Sequence, residues 1–386
     1  MALKPPVEVP QGAIRLNTDS QKLEFYAQDQ WWEMATDVAS PIATRGVLAG
    51  GYTPAAWVNT IDYIMIATAG NAVEFGDLTE PRGDFSGTIS SETRGCFAGG
   101  YFPSPQIRYN VIDFVTIATT GNAADFGDLP RTANSGTPLS SSTRGIYAGG
   151  YYPSNNRDDQ IDYFTIASTG NAADFGDLTS ATRHAGGSAS ATRGIIAGGS
   201  RTPEGMTVDI DYITIASLGN GQDFGDLTSA RQTPYGASNH IRACFAYGVS
   251  PGPTYSNAVD YLTIATLGNA ADFGDILTAV NHTSAVSSSL RIVMAGGAAK
   301  NEIQYHEFAS TGNFTDFGDL TEARLQSAGA TSSTRHVVAG GTTPSAVDTI
   351  DYAQIMSTGN FLSFGELVGA DRGQFSGCSN GHGGLG

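Results

Sequence analysis

Seven times this chain writes nearly the same pattern, and its clearest copies read TRGIYAGGY, then IDYFTIASTGNAADFGDLT, then an arginine. The leading arginine of each copy falls at Arg45, Arg94, Arg144, Arg193, Arg242, Arg291 and Arg335, at spacings of 49, 50, 49, 49, 49 and 44 residues. The FGD phenylalanine recurs in step at Phe75, Phe126, Phe175, Phe224, Phe273, Phe317 and Phe364, the last copy reading FGE. A motif at this period implies a stack of like supersecondary units, so the period constrains the fold before any single residue does. Seven registers span residues 44 to about 380.

Residue types say what each copy builds. IDYFTIAS, residues Ile161 to Ser168, is rich in β-branched and aromatic residues and reads as a long strand. RGIYAGG before it is a shorter apolar strand ending in two glycines. STGN supplies turn chemistry, and NAADFGDL is a third strand with one large aromatic. The small-residue segment from the next arginine, as in Arg82 to Ser91, makes the fourth. Four short antiparallel strands per ~50 residues form one blade of a propeller, with the small-residue strand innermost, where strands converge on the channel. The chain is therefore expected to be all-β, a seven-bladed β-propeller. The last inner strand, Arg372 to Asn380, has no outer strands of its own, so it should close the ring against the blade that begins at Thr44. The second choice for closure is Met34 to Ser40, which lacks the arginine and the SG step.

The order of strands resembles the kelch-type β-propeller, with Tyr63, Tyr163 and Tyr212 at the long-strand tyrosine and the FGD phenylalanine in place of the usual Trp. That resemblance implies a fold with an aromatic packed between blades. It carries no specific function.

With 49 glycines, 40% hydrophobic and 15% charged residues, the chain has ample material for a β-rich core. No apolar run approaches the ~18 residues of a membrane span, and the N-terminus has no basic and apolar signal region, so synthesis in a cytoplasm and no membrane insertion are expected. Cys96, Cys244 and Cys378 are odd in number and have no metal-ligand spacing, and they read as buried thiols.

The net charge is −17. Of 37 acids, 19 occupy repeat positions, including Asp62, Asp113, Asp162, Asp211, Asp260 and Asp351 before the long-strand aromatic. Of 20 bases, 13 are the leading arginines or the inner-strand arginines Arg82, Arg131, Arg183, Arg231, Arg324 and Arg372. Such residues are expected to serve as turn caps and Arg–carboxylate pairs between blades. Calcium is the alternative for Asp-rich loops, although no copy shows a dense DxDxDG spacing, and no metal is assigned. The acidity argues against nucleic acid as a partner.

Function should lie where the copies differ. The stretch between the Gly-Gly strand and the long strand varies from TPAAWVNT to FPSPQIRYNV to SPGPTYSNA, and in a propeller these loops share one face. Candidate binding residues there are Trp57, Phe102, Tyr109, Tyr151, Tyr152 and Tyr255, since exposed aromatics suit sugar rings or protein hot spots. The competing reading is that some fold back onto their own blade. Histidines are scattered, and neither GxSxG nor HExxH occurs, so no enzyme activity and no cofactor are expected.

Residues 1–40 lie outside the repeat, leaving 41–386 to the propeller. The first part reads as a β-meander: Ala13 to Asn17, a turn at Thr18 to Gln21, Lys22 to Ala27, a turn at Gln28 to Gln30, then Trp31 to Met34. Its apolar residues Ile14, Leu16, Leu23, Phe25, Tyr26, Trp31 and Trp32 are too many to leave exposed and too few for a domain, which marks an anchor. Gly12, Ile14, Arg15, Asn17, Thr18, Leu23, Glu24, Tyr26 and Trp31 or Trp32 fit a GxIRYNT hairpin followed by LE-Y-x-G-x-W. This resembles a short module of bacteriophage tail fibres and virion surface fibres, with Leu16 in place of the usual Tyr and without the Gly before the Trp. The resemblance implies a virion protein anchored to other virion proteins through its N-terminal segment. Fibres of that family are often trimers, so a homotrimer is expected, and the variable face points to a host surface glycan or protein as what the propeller binds. A decoration or collar protein contacting only virion proteins, and a cellular kelch-type scaffold, are the alternatives.

Overall fold

The computed structural model describes residues 13–17, 22–27, 30–33, 44–83, 85, 88–151, 157–201, 205–252 and 254–381. The chain divides into two units, Met1–Ala43 and Thr44–Gly386. The first is a three-stranded antiparallel meander of Ile14–Asn17, Lys22–Ala27 and Gln30–Glu33. Its third strand begins at Gln30, one residue before the sequence expectation. Pairing sets Leu16 opposite Leu23 and Phe25 opposite Trp32; the side chains of these four, and both turns, lie outside the described residues. Tyr26 and Trp31 meet edge to face at 5.3 Å, and the Arg15 guanidinium lies 4.1 Å from the Trp31 ring centre. Ile14 is 63% exposed.

The second unit is a seven-bladed β-propeller. Each blade is an antiparallel sheet whose four strands run in chain order from the channel outwards, as in blade 5: Tyr235–Ser238, Arg242–Ala246, Ala258–Thr263 and Ala271–Asp275. Blade 1 alone is built from both ends of the unit, with Ser376–Ser379 inside Arg45–Ala49, Thr60–Met65 and Val73–Asp77. Ser376 pairs with Ala49 and Ser379 with Gly46, and the Arg45 N–H donates to Asn380 Oδ1 at 2.8 Å. The C-terminal strand thus closes the ring as expected. The alternative segment, Met34 to Ser40, lies outside the described residues.

One apolar cluster fills each space between neighbouring blades. Between blades 1 and 2 it joins Val47, Ala49, Ile61 and Phe75 to Phe97, Val115, Ile117 and Ala123. Six more clusters continue this round the ring. The FGD phenylalanine is part of each such layer. At the centre, inner strands approach so closely that a Cβ on Gly236 would lie 2.0 Å from the Gly187 carbonyl oxygen, which explains the small residues there.

At the rim, each outer strand would leave an open edge. The next blade covers it with the turn that follows its long strand. Gly121 and Ala123 N–H groups donate to Phe75 and Asp77 carbonyls at 2.8 Å, while Asn122 Oδ1 accepts from the Asp77 N–H at 3.2 Å. The asparagine bond recurs at every junction, ending with Asn71 on Glu366. Gly76 lies under this turn at φ 151°, and a Cβ on it would sit 2.5 Å from the Gly121 carbonyl. The GN of STGN and the glycine of FGD are therefore two halves of one contact.

One expectation is corrected. The inner strand does not begin at its arginine: in blade 2 it is Ile89–Ser90, while Arg82 stands in the connection before it. The arginine is buried beside the blade and absent from the ladder.

Candidate binding face

The repeated charges have definite tasks. Every leading arginine donates through Nη1 to a carbonyl of the next blade: Arg45 to Ile117, Arg94 to Ile166, Arg144 to Ile215, Arg193 to Ile264, Arg242 to Phe308, Arg291 to Ile355, and Arg335 to Ile66, at 2.5–3.2 Å. Each also lies 4.3–4.9 Å from the aromatic ring of its own long strand. That ring in turn meets the FGD phenylalanine edge to face at 5.6–6.0 Å. The expected carboxylate pairs between blades are thus replaced, for this set, by guanidinium–carbonyl bridges.

Carboxylate pairs belong to the other arginines. Arg82 meets Asp113 at 3.0 Å, Arg231 meets Asp260 at 2.6 Å, Arg324 meets Asp351 at 2.5 Å and Arg372 meets Asp62 at 2.6 Å, all buried. Arg131 pairs with Asp158 and Asp162. Burial pushes Asp162 up to about 6 against the pull of Arg131. The connection adds donors, as when Thr79 N–H and Oγ1 donate to Asp113 at 3.0 and 2.8 Å. These aspartates are consumed in holding each connection to the blade it enters.

Two blades depart from this scheme. Blade 6 has neither charge: buried Val280 stands at the arginine position, and buried Gln304 replaces the aspartate, accepting the Leu277 N–H at 2.7 Å. In blade 4 the buried position is Thr182, and Arg201 reaches in from the loop to pair with Asp209 and, at 3.4 Å, Asp211. Arg183 is therefore not a scaffold arginine, contrary to the sequence expectation.

The stretches between second and third strands pair with the connections entering the inner strands, through Tyr52 with Gly373, Gly83 with Tyr101, Asn134 with Tyr151, Gln232 with Val249 and Leu325 with Thr342. All variable loops therefore share the face where the inner strands begin. The chain enters the propeller at Thr44, at the other ends of the strands.

The predicted aromatics meet different fates on this face. Tyr255, in the hairpin of Val249–Ser250 with Thr254–Tyr255, is 46% exposed. Trp57 folds back: its ring lies where a Cβ on Gly83 would be 2.3 Å away. Phe102, paired with Ile107, is half-buried. Tyr109 is half-buried with its ring centre 5.7 Å from the Arg82 guanidinium, and desolvation raises its hydroxyl pKa. Tyr151 is half-buried with the guanidinium carbons of Arg108 and Arg183 each 4.5 Å from its ring centre. Tyr152 lies outside the described residues.

Sequence reasoning missed the centre of the face. A cavity of about 380 Å³ opens at the channel mouth, lined among others by His184, Thr233, Tyr235, Tyr247, His282 and Gln326. Ser135, His184, Thr233, His282, Gln326 and Gln374 occupy one repeat position, each at φ 53–58°. Left-handed geometry in six non-glycine residues, one of them β-branched, is costly and marks a constrained rim. Backbone bonds run between them, from His184 N–H to Ser135 O at 3.0 Å and from Thr233 N–H to His184 O at 2.7 Å. Tyr247 stands where the other copies have the first glycine of Gly-Gly, and it stacks on Tyr235 at 6.3 Å. The Tyr235 hydroxyl donates to the Ala285 carbonyl at 2.5 Å, and burial pushes its pKa up to about 12. The break in the glycine pair was the one visible signal of this site.

Elsewhere, Cys96, Cys244 and Cys378 are buried, and desolvation pushes each thiol up to about 12. Among the described residues no group of three or more His, Cys, Asp or Glu is placed to share a metal ion. What the face offers is stacking area and hydrogen-bonding groups round a central cavity. No protein-family model and no curated protein matches the chain. Its class is defined by architecture: a seven-bladed β-propeller whose repeats are scaffold and whose irregular loops are gathered on one face.

Proposed function

We propose that this is a virion surface attachment protein. The N-terminal meander joins it to other virion proteins, and the kelch-like propeller presents its loop face to a host surface glycan or protein. It works as a binding module and needs no catalytic step, nucleic acid or membrane insertion. One observation carries this reading: the repeated residues are consumed in holding blades together, while the loops that differ in length and content collect on one face, and the chain enters the propeller on the other. A trimeric assembly would multiply weak contacts by avidity. The test is adsorption of the particle to its host in the presence of purified protein. Competition is expected, and a Tyr255→Ala variant should compete less well. No competition, together with a loop face buried in the assembled particle, would sink the reading.

A second reading, a decoration or collar protein, is favoured by the opposite face. Leu218, Ile241, Leu267 and Leu290, 52–57% exposed, stand in turns of blades 4 to 6 where other copies carry Thr or Ala. Exposed apolar residues gathered in neighbouring blades suit a contact with another virion protein.

A further inference from the structure

Resting on the reading of the loop face as a binding surface, we infer that Arg108 and Arg183, held on either side of blade 3 by Tyr151, form a subsite for an anionic group carried on a saccharide. The group is a sugar carboxylate or phosphate. In a chain of net charge −17, most arginines are matched to carboxylates or carbonyls. These two converge on one tyrosine ring, and neither forms an ion pair with a carboxylate among the described residues. Arg108 donates through Nε to Asn134 Oδ1 at 2.9 Å, which orients its fork and leaves the Nη edge available. The Nε of Arg183 is buried with no hydrogen-bond partner among the described residues.

Arg183 is available because Arg201 has taken the scaffold position beside Asp211. The next residue, His184, shares these surroundings: burial first, and then the basic groups Arg183, His282 and Arg157, lower it to about 4. Two like charges brought together cost free energy that a bound anion recovers. Guanidinium forks held by an aromatic ring and an amide suit planar or tetrahedral oxyanions, which they grip through paired N–H donors.

Calorimetric titration of the full-length protein tests this with three probes: tetragalacturonate for the carboxylate, glucose 6-phosphate for the phosphate, and maltotetraose as the neutral control. One anionic probe should bind, and which one binds names the source of the charge. Arg108→Gln and Arg183→Gln should each weaken that binding by about tenfold or more. Added sodium chloride should weaken it too, and Lys300→Gln should leave it unchanged. Thermal melts of the variants should match the parent, since neither arginine holds a blade. Failure of both anionic probes, or equal binding to the parent and Arg183→Gln, overturns the subsite. If maltotetraose binds while both anions fail, the subsite is wrong and the binding face stands. If an anion binds as predicted but host adsorption is not competed and the loop face is buried in the assembled particle, the subsite stands and the attachment function is wrong.

Discussion

At the residue scale, the buried Arg–Asp pair is the most costly device in the chain. Removing one partner strands a charge in the interior, so Asp113→Ala should destabilise the propeller by about 3–5 kcal/mol. Blade 6 shows a neutral solution in the same register, with Val280 and Gln304. The double change Arg82→Val with Asp113→Gln should therefore recover most of that loss, measurable by urea unfolding. His336 supplies a pH dependence. It is fully buried between blades 6 and 7, with Ser284 Oγ at 3.4 Å and the Phe361 ring at 5.4 Å, and desolvation lowers its pKa to about 3. Below 6.5 the unfolded chain takes up a proton that the native state refuses, so stability falls as pH drops through the window from 6.5 to about 3. This costs about 3 kcal/mol by pH 4. His336→Ile, the residue blade 6 carries as Ile292, should flatten that part of the stability–pH curve. A curve unchanged by the substitution would show that the burial of His336 does not carry the effect.

At the element scale, closure matters most. Ser376–Ser379 completes blade 1 and covers the edge of Arg45–Ala49, and Phe375 lies in the apolar cluster between blades 7 and 1. Deleting residues 373–386 should open that edge, abolish a single cooperative melt and drive aggregation, seen by calorimetry and size-exclusion chromatography. A truncated chain that melts as one unit at the parent temperature would contradict this. Strand types and their order were legible, because β-branched runs punctuated by Gly-Gly and Gly-Asn leave little choice. The start of the inner strand was not, because an arginine beside a small-residue run looks like its first residue. Arg82 is instead drawn under the blade by Asp113, a residue 31 positions away that only the fold brings near.

At the scale of the whole molecule, the proposed host attachment and the proposed virion contact would use opposite faces of the propeller, so each should fail separately. Ile241→Thr with Leu267→Thr restores the common repeat residue on the face opposite the loops. It should reduce incorporation into particles, measured by immunoblot of purified virions, without changing competition by the free protein. Tyr255→Ala should do the reverse.

What the sequence alone determined was the seven-fold period, the four strands per copy, closure by the last segment and the thiols as interior groups. Each follows from local pattern or from counting. What the tertiary structure decided was which charges are spent. Thirteen arginines looked alike as scaffold, yet seven bridge blades through carbonyls, five neutralise a buried aspartate, and Arg183 does neither. Likewise, only Tyr255 among the described loop aromatics is exposed, while the channel mouth, assembled from six copies of one position, showed in the sequence only through the broken glycine pair at Tyr247. A repeat tells which residues are equivalent; a partner contributed by a different loop, as Arg201 is, changes the role of one copy without altering its place in the pattern.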